Sequence, residues 1–162
     1  MTDFSTRDTI VSSEVQAPPH HRQAEEAVLG AVLIDADSYY DLAQSLQADD
    51  FYIVRNRWIW EAFTRLHESR TPIDFLTVCK QLEQQERLAE SGGAAYLMSL
   101  INQTPSSLHA QAYGHIVEEH SIRRRMLSSA NELAKLAFDQ QQPVESILDE
   151  AEKSIFNISE KR

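Results

Sequence analysis

Glycine, proline and cysteine are scarce in this chain: four, five and one among 162 residues. Few turn-formers and no alternating β-branched runs argue against a sheet-based fold. Helical spacing recurs instead, so the class read from the sequence is all-α. The single cysteine, Cys79, excludes an intramolecular disulfide and suits a reducing compartment; beside Leu76, Val78 and Leu82 it reads as a packed thiol, not a nucleophile. No apolar run approaches the ~18 residues of a membrane span. Met1 to Ala17 is polar and Ser/Thr-rich, without the apolar centre of a secretion signal. Residues 1–17 are therefore expected to be a disordered tail, and the chain to be cytoplasmic with no membrane partner.

Basic residues are also in deficit. Fifteen Lys and Arg face 25 Asp and Glu, a net charge of −10, which disfavours direct nucleic-acid binding because that binding depends on cations displacing counterions from phosphates. The one basic cluster, Arg123-Arg124-Arg125, makes no stripe, since successive helical residues point about 100° apart. It reads as solvated or paired with Glu118, Glu119 or a neighbouring chain. Arg123 falls on an apolar arc, so its stem is expected to pack while its head finds a carboxylate. Trp58 and Trp60 read as core and edge of one helix, not as a base-stacking pair.

Catalytic patterns are missing. Gly30, Gly92, Gly93 and Gly114 offer no phosphate-loop spacing, so this chain alone is not expected to hydrolyse ATP or hold a cofactor. His115 and His120 are five residues apart, about 140° round a helix and too far to share a zinc ion, so no metal site is expected. His20-His21 reads as a helix-entry contact. Glu25-Glu26 and Glu118-Glu119 point to different faces and read as solvated.

What remains is a succession of helices. Ala24, Ala27, Val28, Ala31 and Val32 predict a small-residue helix ending near Asp35. Ser38 to Leu46 forms a second, and Ala48 to Tyr52 a loop closed by aromatics. The third, Arg55 to Ser69, carries Trp58, Ile59, Ala62, Phe63 and Leu66. Asp74 caps a fourth, Phe75 to Gln85, with Leu76, Cys79 and Leu82 or their neighbours inward. Gly92-Gly93 opens a fifth, Ala94 to Asn102, holding Tyr96, Leu97, Leu100 and Ile101. This gives a helical head over residues 18–104, followed by a helical hairpin over 105–162 with arms at about 107–138 and 143–160. Ser106 or Ser107 should cap the long arm.

On the last arm Val144, Ile147, Leu148, Ala151, Ile155 and Ile158 occupy about 100° of the helix, one narrow seam for one partner helix. The long arm is broader: Leu108, Ala112, Ile116, Ile122, Met126, Leu127, Ala130, Leu133, Ala134 and Ala137 spread over roughly 140°. One seam cannot cover that arc. The surplus is left for the rest of the domain or for another chain.

Several strings then fall together: Pro18-Pro19-His20, Ala24-Glu25-Glu26-Ala27-Val28-Leu29-Gly30, Asp49-Asp50-Phe51-Tyr52, Pro72-Ile73-Asp74, Gly92-Gly93-Ala94-Ala95-Tyr96-Leu97, Thr104-Pro105-Ser106 and Leu148-Asp149-Glu150-Ala151-Glu152 with Ile155-Phe156. In order and spacing the chain resembles the N-terminal domain of the bacterial replicative DNA helicase, the DnaB family. The resemblance implies the head-plus-hairpin fold, with hairpins pairing protomers into dimers and three dimers forming the collar of a hexameric ring. It places self-association on Ile116, Met126, Leu127, Leu133, Ile147, Leu148 and Ile155. It also implies a linker helix and RecA-like ATPase domain beyond this segment, to which ATP and Mg would belong. Implied partners are the primase C-terminal domain and a helicase loader, in the initiation and progression of DNA replication. Family primase contacts carry over to Tyr96, which reads equally as core packing, and to Leu127 and Leu133, which read more readily as hairpin packing or dimer surface that transmits partner effects. A further one falls on Gln23, where the family usually has Glu, and the missing carboxylate weakens any charge-assisted bond there. The rival reading is a stand-alone helical adaptor or inhibitor that binds a helicase or another replication protein.

Overall fold

The computed structural model describes residues 16–160, and every regular element among them is helical. In order these are α1 (Arg22–Ile34), α2 (Ser38–Leu42), a 3₁₀ turn (Ala48–Asp50), α3 (Val54–Glu68), α4 (Phe75–Gln84), α5 (Gly93–Gln103), α6 (Ala110–Phe138) and α7 (Val144–Glu160). The tail expected over residues 1–17 lies mostly outside the described residues.

α1 is the buried axis of the head. His21 caps it, Nδ1 accepting from the Ala24 N–H at 3.0 Å, which is the helix-entry contact read from the sequence. Its small residues let α5 come close: a Cβ at Gly30 would lie 1.9 Å from Thr104 Oγ1 and 2.5 Å from the Leu100 carbonyl. No side chain larger than hydrogen fits there. On α3 the buried set is Asn56, Ile59, Trp60, Ala62, Phe63 and Leu66. Trp60 packs between Phe51 and Phe63 at ring separations of 5.2 and 5.9 Å. Trp58, expected in the core stripe, is the edge residue and lies under the Arg87 guanidinium. Asp74 caps α4 as expected, bonding the Thr77 N–H at 2.8 Å while Thr77 Oγ1 accepts from the Asp74 N–H at 2.9 Å. The inward residues of α4 are Val78 and Leu82; Leu76 is 74% exposed and Cys79 half-buried.

α6 serves two parts of the molecule. Ala110, Gly114, Val117 and Ser121, spaced four, three and four apart, are buried against the head. A Cβ at Gly114 would stand 2.7 Å from Leu42 Cδ2, so α2 rests directly on this helix. Beyond Ser121 no residue of α6 is fully buried. The line drawn between residues 104 and 105 is thus crossed by packing, and α6 is head first and hairpin arm afterwards. The expected serine cap is absent: His109 precedes α6 with no side-chain capping bond, and Ser106 instead accepts from the Leu108 N–H within the loop.

The second half of α6 runs antiparallel to α7. Half-buried Ile122, Arg125, Ser129, Leu133 and Leu136 meet half-buried Ile147, Ala151, Ser154 and Ile158 at three- and four-residue spacings. This corrects the single seam expected on the last arm. Leu148 and Ile155 do not join it; they are 57% and 58% exposed.

Candidate protein-docking site

The first turn of α1 sends neighbouring carboxylates opposite ways. Glu26 faces outward, bonding Arg22 at 2.8 Å with Arg55 at 3.9 Å. Glu25 turns inward and is 1% exposed, which overturns its reading as a solvated residue. Its carboxylate accepts from the backbone N–H groups of Tyr52 and Ile53, both at 3.2 Å, and from Asn56 Nδ2 at 3.3 Å. Those groups lie at the start of α3, whose own N-cap residue, Ile53, supplies no side-chain bond. Glu25 therefore caps α3 from another helix, with its charge at the positive end of the α3 dipole. Burial pushes its pKa above the ordinary carboxylate value; the bonds from Asn56, Ile53 and Tyr52 and the charge of Arg124 act against that shift.

Arg124 closes the other side. Its Nη1 donates to the Pro19 carbonyl at 2.8 Å and its Nη2 to the Asp50 carbonyl at 2.6 Å. Burial lowers its pKa, while Glu25 and Asp50 oppose the change. Asp50 is itself buried, accepting from Ser121 Oγ at 2.6 Å and from the Gln47 N–H at 2.7 Å. Two of the three arginines are thus not solvated, whereas Arg123 is exposed and lacks the packed stem expected of it. Arg124 pins the chain entry and the 3₁₀ turn to α6, and Arg125 reaches the Ile158 carbonyl on α7. Glu118 and Glu119 lie beside His115, at 3.9 and 3.5 Å, and not beside these arginines.

Tyr96 is the surface end of this network. Its hydroxyl donates to Asn56 Oδ1 at 2.5 Å, and the Arg55 guanidinium lies 3.9 Å from its ring centroid. Burial, foremost, pushes its pKa up to about 12. Gly92 makes room for it: at φ +92°, a Cβ on Gly92 would come within 2.7 Å of Tyr96 Cβ. Tyr96 is consequently half-buried, with its hydroxyl in the core network and its ring at the surface under Arg55.

The other candidate contacts scatter. Gln23 is exposed on the first turn of α1, the turn that reaches Tyr96 through Glu26 and Arg55. Leu127 and Leu133 lie further along α6 and, six residues apart, point about 120° from each other. Leu127 is 51% exposed, whereas Leu133 lies in the seam with α7. Ile116 packs on the head core and Ile147 in the seam. Met126, Leu127, Ala130 and Ala134 form an exposed arc of about 100° on α6, and Val144, Leu148 and Ile155 one of about 40° on α7. Because the helices are antiparallel, both arcs fall on the same side of the hairpin. The result is one open apolar face built from two helices.

Sequence reasoning missed Glu25, Asp50 and Arg124. The signal was present: Glu25, Val28, Leu29 and Val32 share one helical stripe, as do Val117, Ser121 and Arg124. A charged residue in register with an apolar stripe marks a buried, partnered charge. Among the described residues no three His, Cys, Asp or Glu side chains group to hold a metal ion, and no helix is long and apolar enough to cross a membrane.

The family model for the DnaB-like helicase N terminal domain matches residues 17–119. The replicative DNA helicase DnaB of Haemophilus influenzae is 37% identical over 152 residues, an alignment that takes in 93% of this chain and 32% of the relative. The chain thus spans about a third of the length of that curated relative, at its N-terminal domain. The crystal structure of the N-terminal domain of DnaB helicase from Mycobacterium tuberculosis superposes with a TM-score of 0.83 at 29% identity, covering 87% of this chain and 99% of that one. The N-terminal domain of DnaB helicase from Helicobacter pylori, a structure described together with its interactions with primase, gives 0.61 at 23% identity, over 70% and 89% of the two chains.

Proposed function

The chain belongs to the DnaB-like helicase N-terminal domain family, and from that premise we propose that it is the assembly and protein-docking domain of a replicative DNA helicase. Its work lies in the initiation of DNA replication and the progress of the fork, in the cytoplasm, with ATP and Mg handled by a RecA-like motor domain outside this segment. The observation that carries this reading is the open apolar face of the hairpin, with Met126, Leu127, Leu148 and Ile155 each more than half exposed. A soluble domain rarely leaves such a face uncovered. Covered by a second copy, it pairs protomers; three such pairs would close a collar and hold six motors at high local concentration.

The second role is docking. The Helicobacter pylori relative is described with primase, and the primase C-terminal domain is the partner proposed here, with a helicase loader as a further one. Tyr96 and Gln23 would supply the head contacts, and Leu127 and Leu133 would act through the hairpin. Sedimentation velocity of the 162-residue chain and of Leu127→Glu tests the assembly role. The wild type should associate in a concentration-dependent way and the variant should sediment as a smaller species. A monomeric wild type at high concentration, or an oligomer that survives the charge, would overturn it.

A further inference from the structure

The two sides of the hairpin differ. The apolar residues of α6 lie about 110° to one side of the line of contact with α7, and Arg125, Ser128 and Glu132 lie on the other. On that second side lies a cleft of about 250 Å³, lined by Arg125, Ser128, Ser129, Glu132, Ser154, Asn157 and, as its one apolar residue, Ile158. The stem of Arg125 is in the seam, yet its Nε is buried with no hydrogen-bond partner. Its Nη1 reaches the Ile158 carbonyl only at 3.5 Å, the outer limit of a hydrogen bond. A guanidinium held by one long bond keeps donor capacity to spare, so the cleft favours whatever brings an acceptor to its Nη groups.

Three hydroxyls and a carboxamide around a guanidinium make a donor-rich cup suited to an oxyanion, which a planar guanidinium pairs through two parallel bonds. Glu132 sets the charge of that ligand. With one guanidinium and one carboxylate already present, a single negative charge is tolerated and a second is opposed. We propose that this cleft is a binding site for a monoanionic carboxylate, held by Arg125 on α6 and bridged to Ser154 and Asn157 on α7. The seam beside it is mixed, with Arg125, Ser129 and Ser154 set among Ile122, Leu133 and Ile158. A bound carboxylate adds a further cross-link between the arms. The cleft stays open when the apolar face on the opposite side is covered, so ligand binding and self-association are compatible.

The test is an NMR titration of the 162-residue chain at constant ionic strength, following the amides of Ser129 and Asn157. Sodium acetate should give saturating shifts and sodium chloride should not. Arg125→Gln should abolish saturation, and Glu132→Gln should tighten binding several-fold by removing a like charge. A free carboxylate and an acidic side chain of another chain share this chemistry. Acetate binding tighter than a blocked Gly-Glu-Gly peptide assigns the site to the free ion, and the reverse order assigns it to a side chain. Shifts that fail to saturate, that chloride reproduces, or that survive Arg125→Gln would overturn the site. Inorganic phosphate binding tighter than acetate would overturn the assignment to a monoanion.

Discussion

The head and the hairpin use the same residue types to opposite ends. In the head, one polar network is buried and bonded: Glu25, Asn56, Asp50 and Ser121 are buried and, with half-buried Arg124, bond one another or the backbone. In the hairpin, apolar groups are exposed, with Leu127, Leu148 and Ile155 open while Ser129 and Ser154 occupy the seam. A buried polar network fixes one arrangement, because every member is costly to leave unpaired. An uncovered apolar face fixes nothing by itself and is completed by another surface. The head should therefore answer substitution with loss of stability, and the hairpin with loss of association.

The largest effect is expected at Glu25→Ala. It strands two backbone N–H groups, Asn56 and part of the compensation of Arg124, and should destabilise the fold by about 3 kcal/mol in urea denaturation. A loss under about 1 kcal/mol would break the contrast, because the network would then be ornamental. The same residue predicts a pH dependence. Its pKa is raised in the folded state, so the cost of burying its charge is fully present above the folded value. That cost is relieved as the pH falls through the raised pKa toward the unfolded one. Between those two values the wild type should gain stability on acidification relative to Glu25→Gln; the opposite slope would mean that the hydrogen bonds outweigh burial.

Smaller, and at the boundary between the two behaviours, is Tyr96→Phe. Losing the bond to Asn56 should cost about 1 kcal/mol, while primase affinity measured by calorimetry should fall by more than the change in folded fraction explains. Equal losses would make Tyr96 a packing residue only. The smallest effect on the monomer is expected at Leu148→Glu, within about 0.5 kcal/mol by denaturation at low concentration, although the oligomer seen by sedimentation should dissociate. A large stability loss there would show that Leu148 supports the hairpin itself.

Periodicity made most of the fold legible. The stripes of α1, α3 and α5, the Asp74 cap and both hairpin arms follow from spacing alone, because apolar burial dominates those elements. What spacing could not assign was the partner of each face. Leu148 and Ile155 lie beside Ile147 and Ala151 on α7, and nothing in one helix says which pair meets α6 and which stays open. Trp58 and Trp60 posed the same ambiguity on α3, resolved by Phe51 and Phe63 packing around Trp60 and by Arg87 covering Trp58. The polar network was hidden for a different reason. Glu25 and Arg124 are joined by bonds to Tyr52, Ile53, Asp50 and Pro19, residues distant in sequence, and charge next to charge reads as solvent until the fold brings those groups together. The resemblance named Tyr96 by its motif, while its hydroxyl bond to Asn56 is visible only in three dimensions.

α6 is one unbroken helix of 29 residues, a rod about 44 Å long, with its first half clamped in the head and its second half carrying the apolar face. No hinge separates the two, so the direction in which that face points is set by residue count alone. One residue inserted after Arg125 would swing it about 100° around the rod, and two about 200°. Composition and hydrophobicity would be almost unchanged, yet paired copies would meet at a new angle. The length of this helix acts as a phase, and the symmetry of any assembly built on it depends on keeping that phase.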